Sequence, residues 1–203
     1  LRSREKKGTL LWVLDKTRTS MGARLLRKWI EQPQTNANII VNRQGAVKEL
    51  VSEYMLRENL GDALRSVLDL ERLMTKVIYE SANAKDLRAI SATISVLPEI
   101  KKTLALCKSD ALSAIWKDLD TLSDLHNIIV NSIVEDPPFS IREGGFIAEG
   151  VNAELDKLRN IMNNSKDYLS QIEEREKDQT GIRNLKIGYN RVFGYYIEVS
   201  KSN

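Results

Sequence analysis

The side chains best placed to do chemistry are cations, and the chemistry is contact with phosphate. Residues 181–203 hold Arg183, Lys186, Arg191 and Lys201 against one anion, Glu198, so this stretch carries +3. Arg191 lies in Asn190-Arg191-Val192-Phe193-Gly194, a short polar break ending in Gly between two runs rich in β-branched and aromatic residues. Such a break between alternating runs specifies an antiparallel β-hairpin. A cation at a hairpin bend neutralises phosphate without reading a base, which gives weak, salt-sensitive and sequence-indifferent binding. Asn190 and Arg191, at the bend, rank first for this contact. Lys186 and Lys201 come next, then Arg183. Tyr195 and Tyr196 must face opposite ways on a strand. Together with Tyr189 and Phe193 they are better read as packing on the hairpin's own support than as base-stacking platforms. A solvated edge strand guarded by charges is the competing account of the whole stretch.

Other arrangements that mimic reactive sites fail on their missing parts. Gly145-Phe-Ile-Ala-Glu-Gly150 has the glycine spacing of a phosphate loop, but Val151-Asn152 stands where Lys-Ser/Thr is required. It reads as a turn entering a helix. His126 is the sole histidine and has no Cys or His partners for a zinc site, so it reads as packed or surface-bound. Glu173, Glu174, Glu176 and Asp178 alternate with Arg175 and Lys177, the pattern of a solvated helix face laced with ion pairs. Trp12, Trp29 and Trp116 sit among aliphatic residues and are expected to fill the core. No catalytic constellation, and so no enzyme reading, emerges from the sequence.

Composition sets the frame. The 203 residues are 42% hydrophobic and 29% charged, with 6% aromatic residues and four Pro, which favours helical bundles over β-sandwiches. The net charge is only +3, so any affinity for a polyanion must be local. Arg2, Arg4, Lys6 and Lys7 against Glu5 form a second basic cluster, which leaves the middle of the chain at −3. A single Cys107 excludes a disulfide framework. No apolar run approaches the ~20 residues of a membrane span. The chain starts at Leu and stops in a strand-like run, as expected of a piece of a larger protein.

The elements that position the hairpin are helices. Thr9 can cap a turn from Leu10 to Asp15, and Thr19 or Ser20 a helix whose apolar face is Met21, Leu25, Leu26, Trp29 and Ile30, ended by Pro33. A helix is expected from about Asn36 to Asn59 with Gly61 as its stop, then one through Leu64–Val77 on which Asp69 and Arg72 can pair. Leu87–Leu97 follows, and Pro98 is expected to kink or restart it. Leu112 to Ile133 reads as one helix. The prolines and glycines of Glu135–Gly145 then force an extended crossing segment. Val151, Leu155, Leu158, Met162, Ser165, Leu169 and Ile172 recur in steps of four and three, a heptad seam on one helix reaching about Asp178. At 1.5 Å per residue that helix is ~45 Å long. The fold class is therefore mainly α: a multi-helix bundle over 1–134, an extended connector over 135–150, and over 151–203 a long heptad-patterned helix carrying a short antiparallel β-hairpin.

Several runs together resemble one family. Leu11-Trp-Val-Leu-Asp-Lys-Thr-Arg-Thr-Ser-Met-Gly-Ala-Arg-Leu-Leu-Arg-Lys-Trp-Ile-Glu-Gln-Pro33 resembles the start of the core (lever) domain of MutS-type DNA mismatch-repair proteins, and Asp69-Leu-Glu-Arg-Leu73 resembles its next signature. Glu135-Asp-Pro-Pro, Glu143-Gly-Gly-Phe-Ile-Ala-Glu-Gly150 and Asn152-Ala-Glu-Leu-Asp156 are similar to its exit into the clamp arm. Glu174–Ile182 and Leu185–Val199 are similar to the clamp itself. The likeness is collinear over nearly the whole chain.

The resemblance implies a lever between an ATPase domain and a clamp whose hairpin touches the backbone of duplex DNA, with Asn190, Arg191, Val192, Lys186, Lys201 and Arg183 as the contacting residues. It implies a homodimer in the full-length protein, the remaining MutS domains and the downstream repair protein MutL as partners, and a cytoplasmic, nucleoid-associated location. ATP and magnesium would belong to the parent protein, with no cofactor in this segment. The Phe-x-Glu that senses mismatches in the family is not found here, since Phe193 is followed by Gly194-Tyr195. Gln44-Gly45 stands where the family usually has Leu-Asp, which is expected to loosen one helix. The clamp's returning segment and second long helix are not in the sequence, so the seam of 151–178 lacks its family partner. The alternative is a helical protein-interaction scaffold without DNA contact.

Overall fold

A computed structural model of the chain describes residues 7–200, so Arg2, Arg4, Glu5 and Lys6 of the basic cluster and Lys201 lie outside the described residues. The helices in order are α1 (Leu10–Leu14), α2 (Ser20–Glu31), α3 (Ala37–Ser52), α4 (Tyr54–Arg65), α5 (Leu70–Ile78), α6 (Ala84–Ile94), α7 (Leu97–Leu104), α8 (Asp110–Asp118), α9 (Ser123–Ser132), α10 (Ala153–Asn163) and α11 (Ser165–Thr180). Strands β1 (Lys186–Asn190) and β2 (Gly194–Glu198) close the order as one two-stranded antiparallel sheet. The chain forms two compact units, Leu1–Ala148 and Glu149–Asn203.

Side-chain caps set many helix starts. The Thr9 hydroxyl accepts from Trp12 N–H and that of Thr19 from Gly22 N–H, satisfying donors the first turn leaves orphaned. Asn83 and Asp86 form a reciprocal capping box at α6. Of the kink or restart expected at Pro98, the restart is observed: Pro98 stands in the first turn of α7, where a missing N–H costs nothing. Gly45 sits inside an unbroken α3.

Four expected helices are cut or shifted, each for a local reason. The helix expected from Asn36 to Asn59 ends at Ser52, whose hydroxyl donates to the Lys48 carbonyl, and α4 runs through Gly61 to Arg65. The Leu64–Val77 helix begins only at Leu70, because Leu68 N–H goes to the Thr93 hydroxyl and Asp69 caps α5. The Leu112–Ile133 helix divides into α8 and α9. There Asp120 Oδ1 accepts from Leu122 N–H, Leu122 adopts φ +49°, and the Leu119 carbonyl accepts from Lys101 Nζ. The ~45 Å helix divides at Asn164, whose φ −107° and ψ +30° leave the α region and whose amide bonds Asn160.

The first unit has two apolar clusters. Ala84, Ile90, Ile94, Ile129 and Ile133 form one, with Leu87 and Phe146 packed on it; Ala63, Ile100, Leu104 and Leu112 form the other, with Leu50 and Leu60 among its neighbours. Leu97 packs against both. Ile94 is 2% exposed, and burying such a side chain contributes about 1.5–3 kcal/mol. The tryptophans do not fill this core. Trp12, Trp29 and Trp116 are all exposed, and the Arg43 guanidinium lies 3.7 Å from the Trp29 ring centre. His126 is packed, with Nδ1 2.9 Å from the buried Ser91 hydroxyl. The segment after α9 folds back onto this unit: Val134 N–H donates to the Phe146 carbonyl, Ala148 N–H to the Ser132 carbonyl, and Ile133 bridges Ile147.

Candidate nucleic-acid interface

The hairpin grows from the end of α11. Gly181 stops the helix in the left-handed region at φ +71°, with its N–H on the Lys177 carbonyl. Leu185 then turns inward and is 3% exposed, the apolar peg of the hairpin. From there β1 and β2 pair in the register Lys186 with Glu198, Ile187 with Ile197, Gly188 with Tyr196, Tyr189 with Tyr195 and Asn190 with Gly194.

Arg191, Val192 and Phe193 form the turn. Gly194 supplies the positive φ (+78°) that a three-residue loop needs at its end. Asn190 locks the loop, because its Oδ1 accepts from Val192 N–H at 2.8 Å. That leaves the amide nitrogen of Asn190 as the end with donors to offer outward. Arg191 is exposed, and Val192 and Phe193 are 81% and 83% exposed.

The aromatic residues divide as strand alternation requires. Tyr189 and Tyr195 meet across the strands with ring centres 5.0 Å apart and planes tilted by 58°. On the opposite face the Tyr196 ring covers Gly188, where an added Cβ would come within 2.6 Å of Cζ. The tyrosines therefore pack against one another and the strands, but all three remain exposed where packing on the hairpin's support was expected. Phe193 does not pack in this way: it stands in the turn with no strand opposite.

The candidate cations do not form one cluster. Asn190, Arg191 and Val192 share the tip. Lys186 lies at the base, exposed and directly across from Glu198. Its charge also reaches Glu173 on α11. Lys177 Nζ donates to Glu173 at 2.6 Å and Ile187 N–H at 3.1 Å, and these bonds hold the carboxyl below its ordinary range against the opposing effect of burial; the charges of Lys177 and Lys186 act in the same direction. Arg183 is exposed in the turn before β1. Glu173 was read from the sequence only as part of a solvated face. The one signal that marks it is its i,i+4 spacing to Lys177, which many surface pairs share. Among the described residues no group of three or more His, Cys, Asp or Glu side chains is arranged to hold a metal ion.

Comparison with known proteins gives the family. The family described as MutS domain III matches residues 1–185. The chain belongs to the MutS family. It is 50% identical over 202 residues to the DNA mismatch repair protein MutS of Acetivibrio thermocellus and 49% identical over 202 residues to that of Lachnoclostridium phytofermentans. It is 47% identical over 203 residues to that of Clostridium botulinum strain 657. All of this chain is covered in each case, against 23%, 22% and 22% of those relatives, so it spans under a quarter of their length.

Two of the runs that carried the MutS resemblance meet in space. Arg24, from the first run, donates through Nη1 and Nη2 to both oxygens of Asp69 at 2.8 and 2.6 Å and through Nε to Glu71 at 2.8 Å. A forked guanidinium thus ties α2 to the start of α5. The ionic partner of Asp69 is Arg24, where the sequence suggested Arg72; Arg72 contributes its backbone N–H to the Asp69 cap.

Proposed function

We propose that this chain is the helical lever of a MutS-type mismatch-repair protein together with the first part of its clamp, and that the hairpin tip makes sequence-independent contacts with the sugar-phosphate backbone of duplex DNA. The observation that carries the reading is the tip: an exposed guanidinium on a turn locked by Asn190, in a MutS-family chain. A cation contacts phosphate, Val192 meets the apolar edge of deoxyribose, and nothing at the tip is arranged to read a base. Such contact lets a searching protein move over any sequence. Arg191, Asn190 and Val192 act at the tip; Lys186, Arg183 and Lys201 add field rather than contact.

The bond-forming chemistry lies elsewhere in the longer protein. ATP and magnesium act in a separate domain, the full-length protein works as a homodimer and hands on to MutL, and rotation of the lever by the ATPase opens or closes the clamp. Its place is the cytoplasm, at the nucleoid; no described helix is long and apolar enough to cross a membrane. The chain itself needs no cofactor and catalyses no reaction.

The test is anisotropy of a labelled duplex titrated with the chain over a series of salt concentrations. Wild type binds weakly with a negative slope of log K against log salt, and Arg191→Ala makes that slope shallower by about 0.9, one phosphate contact. No binding at low salt, or a slope unmoved by Arg191→Ala, overturns the reading. Association through the exposed seam residues Leu158 and Met162 would then favour the interaction scaffold.

A further inference from the structure

The structure assigns Glu173 of α11 a positioning role: its carboxylate seats the base of the hairpin and so sets the direction in which Arg191 points. The inference rests on reading the hairpin as a phosphate finger. A lone two-stranded hairpin is marginal in water and needs support from outside its own strands. Two of its contacts stand out among the described residues. Leu185 is the buried apolar peg. Two residues on, Ile187 N–H donates to Glu173 Oε2 at 3.1 Å, while Oε1 of the same carboxylate is held by Lys177 Nζ at 2.6 Å. The lysine fixes the carboxylate on the helix, and the carboxylate fixes the strand.

One attachment point permits a pivot and two do not. Arg191 lies six residues beyond Leu185, or ~20 Å along the strand at 3.4 Å per residue. A swing of ~20° about the peg would carry the guanidinium ~7 Å, out of reach of a charge-assisted bond of ~2.8 Å. Glu173 thus acts through Ile187 and touches no DNA. An anion near a phosphate-binding finger would otherwise oppose binding; here it is occupied by Lys177 and by a backbone donor.

The experiment compares wild type, Glu173→Ala, Glu173→Gln and Arg191→Ala in the full chain. It measures amide hydrogen exchange at Ile187, with Ile94 and Ile129 as core controls, alongside the salt-dependent duplex titration. Glu173→Ala is expected to speed Ile187 exchange by about tenfold, the loss of one charge-assisted bond. It should weaken duplex binding severalfold and make the salt slope shallower, by no more than Arg191→Ala does, because Arg191 is then held at its phosphate for only part of the time. Glu173→Gln keeps a carbonyl acceptor and should restore most of the Ile187 protection. Unchanged Ile187 exchange in Glu173→Ala overturns the inference, as does faster exchange with undiminished affinity. If wild type binds no duplex at all, the phosphate-finger reading falls; Ile187 exchange then still decides whether Glu173 seats the strand.

Discussion

Thr93 is the side chain whose replacement best tests how the first unit is built. It is 0% exposed, and its hydroxyl accepts from Leu68 N–H at 3.2 Å and donates to the Ala89 carbonyl at 3.1 Å. The first bond holds the linker between α4 and α5 and explains why no single helix runs through Leu64–Val77. Thr93→Val keeps the shape and removes the hydroxyl, so a backbone donor is orphaned inside the protein at a cost of about 1–3 kcal/mol. Thr93→Ser keeps the hydroxyl and removes one methyl, worth about 0.8 kcal/mol plus a small cavity. At 2–4 °C per kcal/mol for a chain of this size, Val should lower the melting temperature by roughly 2–12 °C and by more than Ser does. Helix ellipticity followed through thermal and urea unfolding gives both numbers. A Val variant as stable as wild type, or more stable than Ser, would refute the assignment of that hydroxyl to the linker.

Lys186→Ala should change the salt slope of duplex binding by less than half as much as Arg191→Ala, because Lys186 faces Glu198 and its field already acts on Glu173; equal changes would contradict that. Gly188→Ala should displace the Tyr196 ring, with loss of nuclear Overhauser contacts between residue 188 and that ring and faster exchange of the β1 and β2 amides; unchanged protection would refute the close approach. Asp86 gives a pH dependence. Burial raises its pKa, but Lys76 at 2.7 Å and Asn83 N–H at 3.1 Å outweigh that and hold the carboxyl below the ordinary aspartate range. Its stabilisation is therefore complete above about pH 4 and is lost as pH falls through the lower folded value. Thermal melts on either side of that range should show the loss in wild type and less of it in Asp86→Asn.

What the sequence made legible was whatever a short stretch can decide by itself. The Thr9 and Thr19 caps, the Pro33 stop, the hairpin and its polar turn all depend on neighbours a few residues away. The breaks at Ser52, Leu119–Leu122 and Asn164 contain neither Pro nor Gly, and an apolar period ran straight across them. They form because Ser, Asp and Asn side chains bond nearby backbone or each other, and because Lys101 reaches the Leu119 carbonyl from another helix. The candidate site divides in the same way. The exposure of Arg191 follows from its place in the turn. Glu173 could not be singled out, since its strand partner is 14 residues further on. The tryptophans misled because aromatic residues among aliphatics suit a helix flank as well as a core.

The interruption at Asn164 bears on the path of the chain between α10 and α11. Backbone bonds continue on both sides of it, from Asn164 N–H to the Asn160 carbonyl and from Tyr168 N–H to the Asn164 carbonyl. The torsions of that one residue lie outside the helical basin, so the direction of α11 relative to α10 is set there and not by gentle curvature along a single helix.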